Sequence, residues 1–303
     1  MVSDTQSPAI ARQPPQSLAS SAHLKRRKAA SSLFAVVCAS ATLLALICLV
    51  WLLWGIFQQG LEHLSWDFIN SFPSRFANKA GIKSALFGSV WVLAITLLAA
   101  VPIGIGAAIY LQEYAANNGF TRFVQVNIAN LAGVPSIVYG ILGLALFVRG
   151  LRFERSVLSG GLTLALLVLP IVIIAAQEAL RAVPSSLRDG SYALGATRWQ
   201  TIQRQVLPVA MPGILTGVIL ALSRAIGETA PLIMMGALTY VAFVPRGPLD
   251  GFTALPIQIF NWTSRPQAAF QQVAASGIIV LLVVLLSMNA LAIFLRYRYY
   301  KNL

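Results

Sequence analysis

The chain has 303 residues, a net charge of +13, 57% hydrophobic residues and only 10% charged residues. Soluble domains carry about 25% charged residues, and a mean hydropathy of +0.76 over the whole length requires several lipid-facing segments, which excludes an ordinary soluble protein. The 22 Lys and Arg residues are spread over loops and both termini. This distribution argues against nucleic-acid binding and is typical of membrane-protein loops that face anionic lipid.

The N-terminal part consists of a polar tail and an apolar run. Residues 1–32 are rich in Ser, Ala, Pro and Gln and predict a disordered cytoplasmic tail. The apolar run 33–57 is too long for the core of a signal peptide and ends without a small-residue cleavage site. It therefore predicts a first membrane span. Its two cysteines, Cys38 and Cys48, have neither a disulfide framework nor metal-binding spacing.

Five further apolar segments follow, at about 84–112, 123–148, 158–177, 209–243 and 271–295. Each has at least about 20 residues, enough for a helix to cross about 30 Å of hydrocarbon. Helices are expected because backbone polar groups in lipid must be satisfied within the segment. The predicted fold class is an all-α integral membrane protein with six transmembrane helices. One membrane domain, 33–303, is expected, with no separate soluble domain.

The basic residues predict the orientation of the chain. With the N-terminus inside, the cytoplasmic segments are 1–32, 113–122, 178–208 and 296–303. The outside segments are 58–83, 149–157 and 244–270. The cytoplasmic set carries 13 Lys or Arg residues and the outside set carries 8. This excess predicts that both termini are cytoplasmic, although the three arginines of 149–157 work against it.

The third apolar segment contains a proline between glycines, in Gly133-Val134-Pro135-Ser136-Ile137-Val138-Tyr139-Gly140. Pro and Gly inside a span often serve only to kink it for packing. Alternatively, the kink lines a pathway, and Ser136 and Tyr139 offer hydroxyl groups to a transported anion. The residues alone leave both interpretations open.

The longest polar insertion between spans is the loop 178–208. Its pattern predicts two short helices, Ser185–Leu194 after Pro184 and Ala196–Val206 before Pro208, joined by a turn at Gly195. An apolar side of the loop is formed by Leu187, Tyr192, Leu194, Trp199, Ile202 and Val206. Such a segment either docks into a groove on a partner or lies on the lipid surface. The pattern by itself does not decide between them.

The fifth apolar segment, 209–243, is too long for a single span, because a helix of that length would measure about 52 Å. We expect a kink or break near Gly227–Pro231, or an extension past the lipid. Broken membrane helices occur where backbone lines a protected cavity.

The same segment contains Arg224 and Glu228, four residues apart on one helix face. A charge at the bilayer centre costs at least about 2.5–3.5 kcal/mol on insertion scales, so such residues normally face the bundle interior or a water-filled path. One interpretation is that the pair is self-neutralising and only stabilises the bundle. In the other, the planar Arg224 guanidinium binds an oxyanion. The Glu228 carboxylate then competes with the oxyanion for the guanidinium and permits its release.

The loop 178–208 resembles the Glu-Ala-Ala loop of ABC importer permeases. Gly195 and Leu207-Pro208 fall at the family's spacing, whereas Asp189, Gly190 and Ser191 replace Glu-Ala-Ala, and Gln205 replaces an isoleucine. The resemblance implies that the loop is a coupling helix seated in a cleft of an ATPase subunit. The implied coupling residues are Asp189, Gly190, Ser191, Gly195, Leu207 and Pro208.

Three further motifs resemble the PstA family of phosphate importer permeases. They are Arg-Ala-Ile-Gly-Glu-Thr-Ala-Pro-Leu at 224–232, the motif 133–140, which resembles the PstA and PstC permeases alike, and the tail Arg-Tyr-Arg-Tyr-Tyr at 296–300. The resemblance covers about 80–300 and implies a MetI-like core over 80–295 in the bacterial inner membrane. It also implies a PstC-like second permease, a PstB-like ATPase dimer and a PstS-like periplasmic phosphate-binding protein. The pathway residues would be Arg224, Glu228, Thr229, Ser136 and Tyr139.

The sequence has no Gly-rich phosphate-binding loop followed by Lys-Ser/Thr. We therefore expect ATP and Mg²⁺ on a partner subunit, and no cofactor, metal site or enzymatic activity in this chain. His23 and His63 are interpreted as solvated bystanders. Three alternatives remain: an ABC permease for molybdate or sulfate, a secondary transporter or channel without an ATPase, and a polytopic membrane enzyme. The last is disfavoured because no convergent set of titratable groups is evident.

Overall fold

The computed structural model describes residues 20–237 and 240–301, and within these ranges the regular structure is helical. The helices are α1 (Ser20–Gly60), α2 (Trp66–Asn70), α3 (Lys83–Ile109), α4 (Gly119–Ala132), α5 (Ser136–Gly143), α6 (Val157–Arg181), α7 (Ser185–Ala193), α8 (Arg198–Thr201), α9 (Leu207–Gly227), α10 (Ala230–Met235), α11 (Leu255–Thr263) and α12 (Ala268–Lys301). The remaining regular structure consists of three π-helical turns, Tyr110–Tyr114, Leu144–Gly150 and Ile202–Val206, and one 3₁₀ turn, Ala77–Lys79. The all-α fold class is confirmed.

Among the described residues, those up to Gly55 and those from Ile56 onward form two compact units. In the first unit, α1 begins at Ser20, inside the segment predicted to be a disordered tail. Its first turns contain Ala, Leu, Lys and Arg, which favour the helix and extend it upstream of the apolar run. The remainder of the predicted tail, 1–19, lies outside the described residues.

Within the described residues, five helical stretches are long and apolar enough to cross a membrane, namely Arg26–Gly60, Lys83–Tyr114, Val157–Arg181, Arg198–Gly227 and Ala268–Arg298. The predicted third span, 123–148, is instead a bent pair, Gly119–Ala132 and Ser136–Gly150, with 102° between its halves. The bend falls at Gly133 and Pro135, because a proline disfavours helical backbone in the residue before it. Six spans result only if this pair counts as one.

The core of the second unit is built around α6, whose buried residues extend along its whole length. α3 and α9 both pack against it. Close approach depends on small residues, since a Cβ at Gly104 would lie 2.7 Å from Val172 Cγ1 and one at Gly161 would lie 2.5 Å from Ile95 Cγ2. Small residues at such interfaces are typical of packed membrane helices.

A second hydrophobic cluster joins the predicted outside segments 58–83 and 244–270, and it includes Phe68, Ile82 and Trp262. Its central element, α11, was not predicted, because nine residues are too short for a span and include Gln258 and Asn261. α11 is nevertheless buried, and the Leu255 N–H at its start donates to Ser89 Oγ of α3 over 2.8 Å. The two segments therefore form a common folded layer.

The predicted break in the fifth apolar segment is confirmed. α9 ends at Gly227, and Glu228 has extended backbone angles of φ −76° and ψ 119°. α10 then begins at Ala230 and is closed by Gly236, whose φ of 95° lies in the left-handed region.

The prediction that Pro208 ends a separate second helix in the loop 178–208 is wrong. The helix that begins at Arg198 runs without interruption to Gly227. A π-helical turn, Ile202–Val206, precedes the proline, and the Leu207 N–H donates to Ile202 O across it. Pro208 lies next, as the second residue of α9, and the change of hydrogen-bond register in the π-helical turn lets the helix continue past its missing N–H.

Candidate functional site

Arg224 and Glu228 form an ion pair at the point where α9 ends. Arg224 Nε lies 3.2 Å from Glu228 Oε1, and the two side chains are 45% and 17% exposed. The Glu228 N–H still donates to Ala225 O, although its own backbone has left the helix. Among the described residues, no hydrogen bond engages the two terminal nitrogens of Arg224. These nitrogens are therefore available to an oxyanion.

The structure brings the motif at 133–140 against the break that follows Glu228. α5 packs on α10, and a Cβ at Gly140 would lie 2.7 Å from both Cα and O of Pro231. Ser136, at the start of α5, and Thr229, before α10, are both partly exposed. These two predicted pathway residues therefore lie in elements that share an interface.

Tyr139 has a defined partner within the bent pair. Its side chain is buried, and its hydroxyl donates to Leu131 O over 2.8 Å, across the bend at Pro135. This hydrogen bond holds α4 against α5 and engages the phenolic proton. The predicted contact of Tyr139 with an anion stays a prediction.

Polar contacts between α9 and α12 flank Arg224 and were not foreseen from the sequence. Ser223 Oγ donates to Asn289 Oδ1 over 2.6 Å, and Arg296 Nη1 donates to Thr216 Oγ1 over 2.8 Å. Asn289 is a lone amide in a strongly apolar run, and that isolation was an available signal.

The predicted coupling loop folds as a helix, a turn and a second helix. Gly195 ends the first part with φ 80°, its N–H donating to Tyr192 O and the Ala196 N–H donating to Ser191 O. Thr197 and Gln200 then form a capping box that starts the helix at Arg198. Ser191 Oγ lies 2.8 Å from Thr201 Oγ1, so a hydrogen bond joins the two parts.

The loop exposes much of its apolar surface around an open cleft of about 560 Å³. Leu194 is 90% exposed, while Ile202 and Val206 are fully buried in the bundle. The other exposed apolar side chains are Leu187, Tyr192 and Trp199. Of the predicted coupling residues, Asp189, Gly190 and Gly195 are exposed, and Ser191, Leu207 and Pro208 are partly exposed.

Arg188, in the same loop, was not singled out from the sequence, where it is one of several loop arginines. Its guanidinium binds Glu113, with Nη2 2.7 Å from Oε1 and Nε 3.3 Å from Oε2. Glu113 belongs to the π-helical turn after α3. The pair therefore brings together the predicted cytoplasmic segments 113–122 and 178–208, as the predicted topology requires.

Comparison with known proteins agrees with this architecture. Residues 100–299 match the family described as binding-protein-dependent transport system inner membrane component. The chain is 35% identical over 283 residues to the phosphate transport system permease protein PstA 1 of Mycobacterium tuberculosis (strain CDC 1551 / Oshkosh), covering 90% of each protein. It is 32% identical over 260 residues to PstA of Yersinia pestis, covering 85% of this chain and 87% of that protein.

Two solved structures share the fold. A bacterial ABC transporter involved in alginate import matches with a TM-score of 0.61 at 16% identity, over 91% of this chain and 99% of that one. An inward-facing MetNI methionine ABC transporter matches with a TM-score of 0.56 at 18% identity, over 70% and 94%. These matches confirm the expected MetI-like permease core. The chain is a multi-pass transport component rather than an enzyme, and it belongs to the family of binding-protein-dependent transport system inner membrane components.

Proposed function

We propose that this chain is the permease subunit of an ATP-driven phosphate importer. The observation that carries the proposal is the unbroken helix from Arg198 to Gly227, which has the coupling loop at one end and Arg224 near the other. At 1.5 Å per residue, about 40 Å separates Arg198 from Arg224. A displacement of the loop would then reach the charged pair along one continuous helix.

The names of the PstA relatives point to phosphate as the transported anion. The chemistry of Arg224 suits phosphate. A guanidinium presents a planar fork of donors that matches two oxygens of an oxyanion. Glu228 already accepts from Nε, so its carboxylate competes with the anion and limits retention. Thr229 and Ser136 would supply hydroxyl groups along the pathway, and Tyr139 would do so only after releasing its hydrogen bond to Leu131 O.

The proposed partners follow from the surfaces that this chain leaves exposed. A PstC-like permease would face α9 beside Arg224 and enclose the pathway. A PstB-like ATPase dimer, carrying ATP and Mg²⁺, would receive the coupling loop, where Leu194 lines the cleft and Trp199 is also exposed. A PstS-like binding protein would deliver phosphate to the layer formed by 58–83 and 244–270. We place both termini in the cytoplasm and the complex in the bacterial inner membrane.

Two alternatives have less support. Arg224 would serve sulfate or molybdate equally well, and only the names of the relatives favour phosphate. A secondary transporter would have no use for an exposed coupling loop of this form. If Asp189→Lys, or a bulky residue at Gly195, left ATP-driven uptake intact, the ATPase-coupled function would lose its main support.

The decisive experiment is reconstitution with the three partners in liposomes, followed by ATP-dependent uptake of phosphate, sulfate and molybdate. Arg224→Gln should abolish uptake while the complex still assembles, because the fork and its charge are lost. Arg224→Lys keeps the charge without the fork and should retain part of the activity. Glu228→Gln should slow release by removing the competitor. Failure of Arg224→Gln to assemble would instead indicate a purely structural ion pair.

A further inference from the structure

Arg188 makes four hydrogen bonds from one nearly buried guanidinium. Besides the two to Glu113, Nη1 donates to Val183 O over 2.8 Å and Nη2 donates to Leu180 O over 3.0 Å. The side chains of Arg188 and Glu113 are only 18% and 6% exposed. Nearly every donor of the fork is thus matched to an acceptor.

These acceptors belong to different elements. Glu113 lies in the turn that continues α3, and Leu180 and Val183 lie at the C-terminal end of α6, where a cation also complements the helix dipole. Arg188 itself belongs to α7, the first helix of the coupling loop. One side chain therefore fastens α7 to both α3 and α6, which pack closely against each other.

The connection from α7 to the helix that begins at Arg198 is of a different kind. It passes through the turn at Gly195 and the hydrogen bond between Ser191 and Thr201. Both parts of the loop also contact the turn that follows α3, since Arg188 pairs with Glu113 and the Arg198 guanidinium lies 5.0 Å from the centroid of the Tyr114 ring. The hydrogen bonds of the Arg188 guanidinium connect α7 to α3 and α6. The continuous helix from Arg198 connects the loop to Arg224.

A buried ion pair is a poor device for stability alone, since its desolvation offsets much of its attraction and apolar side chains often serve as well. It is suited to holding elements in one defined geometry. We propose that Arg188, through Glu113, is a positioning residue that makes α7 move as one body with α3 and α6 when the ATPase moves. This inference rests on the proposed function.

The test compares Arg188→Gln, Glu113→Gln and the double variant in the complete reconstituted complex. The matched control is Arg181→Gln, because Arg181 pairs with Glu178 at 2.9 Å in the same region, but with both side chains about 60% exposed. Such exposed pairs contribute little. The measurements are co-purification of the ATPase, ATP hydrolysis, and phosphate imported per ATP hydrolysed.

We expect Arg188→Gln and Glu113→Gln to retain the ATPase but to lower the phosphate imported per ATP by about tenfold, a size typical of coupling between sites. The double variant should be no worse than Arg188→Gln, because the two side chains act as one unit. Arg181→Gln should match the wild type. A purely structural role would lower assembly, hydrolysis and uptake together and leave their ratio unchanged.

Three results would overturn the inference: a ratio for Arg188→Gln equal to that of Arg181→Gln, a parallel fall of all activities, or loss of the ATPase from the complex. If Arg188→Gln does not fold, Glu113→Gln carries the test, because it keeps an acceptor oxygen at the same place. If the wild type imports sulfate or molybdate instead, the proposed substrate is wrong. The same ratio measured on that anion still tests Arg188.

Discussion

Replacement of Gly195 by alanine isolates the contribution of one backbone conformation in the coupling loop. Gly195 has φ 80°, and a Cβ built on it meets no atom within 4 Å. The added Cβ therefore causes no steric clash. The free-energy cost of Gly195→Ala is that of placing an L-residue in the left-handed region, about 1–2 kcal/mol. Two hydrogen bonds depend on this turn, from the Gly195 N–H to Tyr192 O and from the Ala196 N–H to Ser191 O.

Hydrogen exchange of the peptide that spans 191–196 measures this cost directly. A loss of about 1–2 kcal/mol raises the open population about 5- to 30-fold, so these amides should exchange faster by that factor in Gly195→Ala. Gly195→Asn should show a smaller effect, since Asn tolerates the left-handed region.

Gly190→Ala is the matched control for this prediction. Gly190 lies in α7, and its added Cβ also meets open space, so alanine should leave exchange unchanged or slow it. Wild-type exchange in Gly195→Ala, or equal acceleration in both variants, would refute the reasoning.

Two further predictions concern packing and pH. Gly140→Ala places a Cβ 2.7 Å from Pro231 backbone atoms, and overpacking costs about 1–3 kcal/mol, so the melting temperature should fall. The added Cβ of Gly106→Ala meets open space, so this variant should keep the wild-type melting temperature. Equal melting temperatures for the two variants would contradict the close contact of Gly140 with Pro231. The backbone N–H groups of Arg246 and Gly247 hold the pKa of Asp250 below its usual range. Wild type should therefore be more stable than Asp250→Asn at neutral pH. This difference in stability should vanish as the pH falls below about 4. A pH-independent difference in melting temperature would exclude this origin.

Local chemistry predicted the features that depend on neighbours along the chain. The break after Gly227 follows from segment length and from Pro231, and the turn at Gly195 follows from a glycine between two helical patterns. The pairing of Arg224 with Glu228 follows from their spacing on one helix. Each of these features depends on interactions between residues that are close in the sequence, so the local sequence pattern is enough to predict it.

Features that depend on distant residues were not predictable in the same way. α11 is short and partly polar, and it becomes a largely buried helix only through contacts with residues distant in sequence, such as Ser89 of α3 and Ile82. The bend at Pro135 was expected only as a kink, because a local pattern of Pro and Gly does not specify an angle, whereas the structure has 102° between the two halves and packs α5 on α10. Arg188 and Glu113 are 75 positions apart, and no local pattern links them.

Pro208 shows how such a difference bears on mechanism. A proline that ended the second loop helix would insert a flexible joint between the coupling loop and Arg224. Instead, the π-helical turn before it removes the need for its missing N–H, and the helix continues. The loop can then act on the charged pair without a joint, while Arg188 holds α7 to α3 and α6. Gly195 joins the two parts of the loop, and its left-handed backbone is exposed and uncrowded.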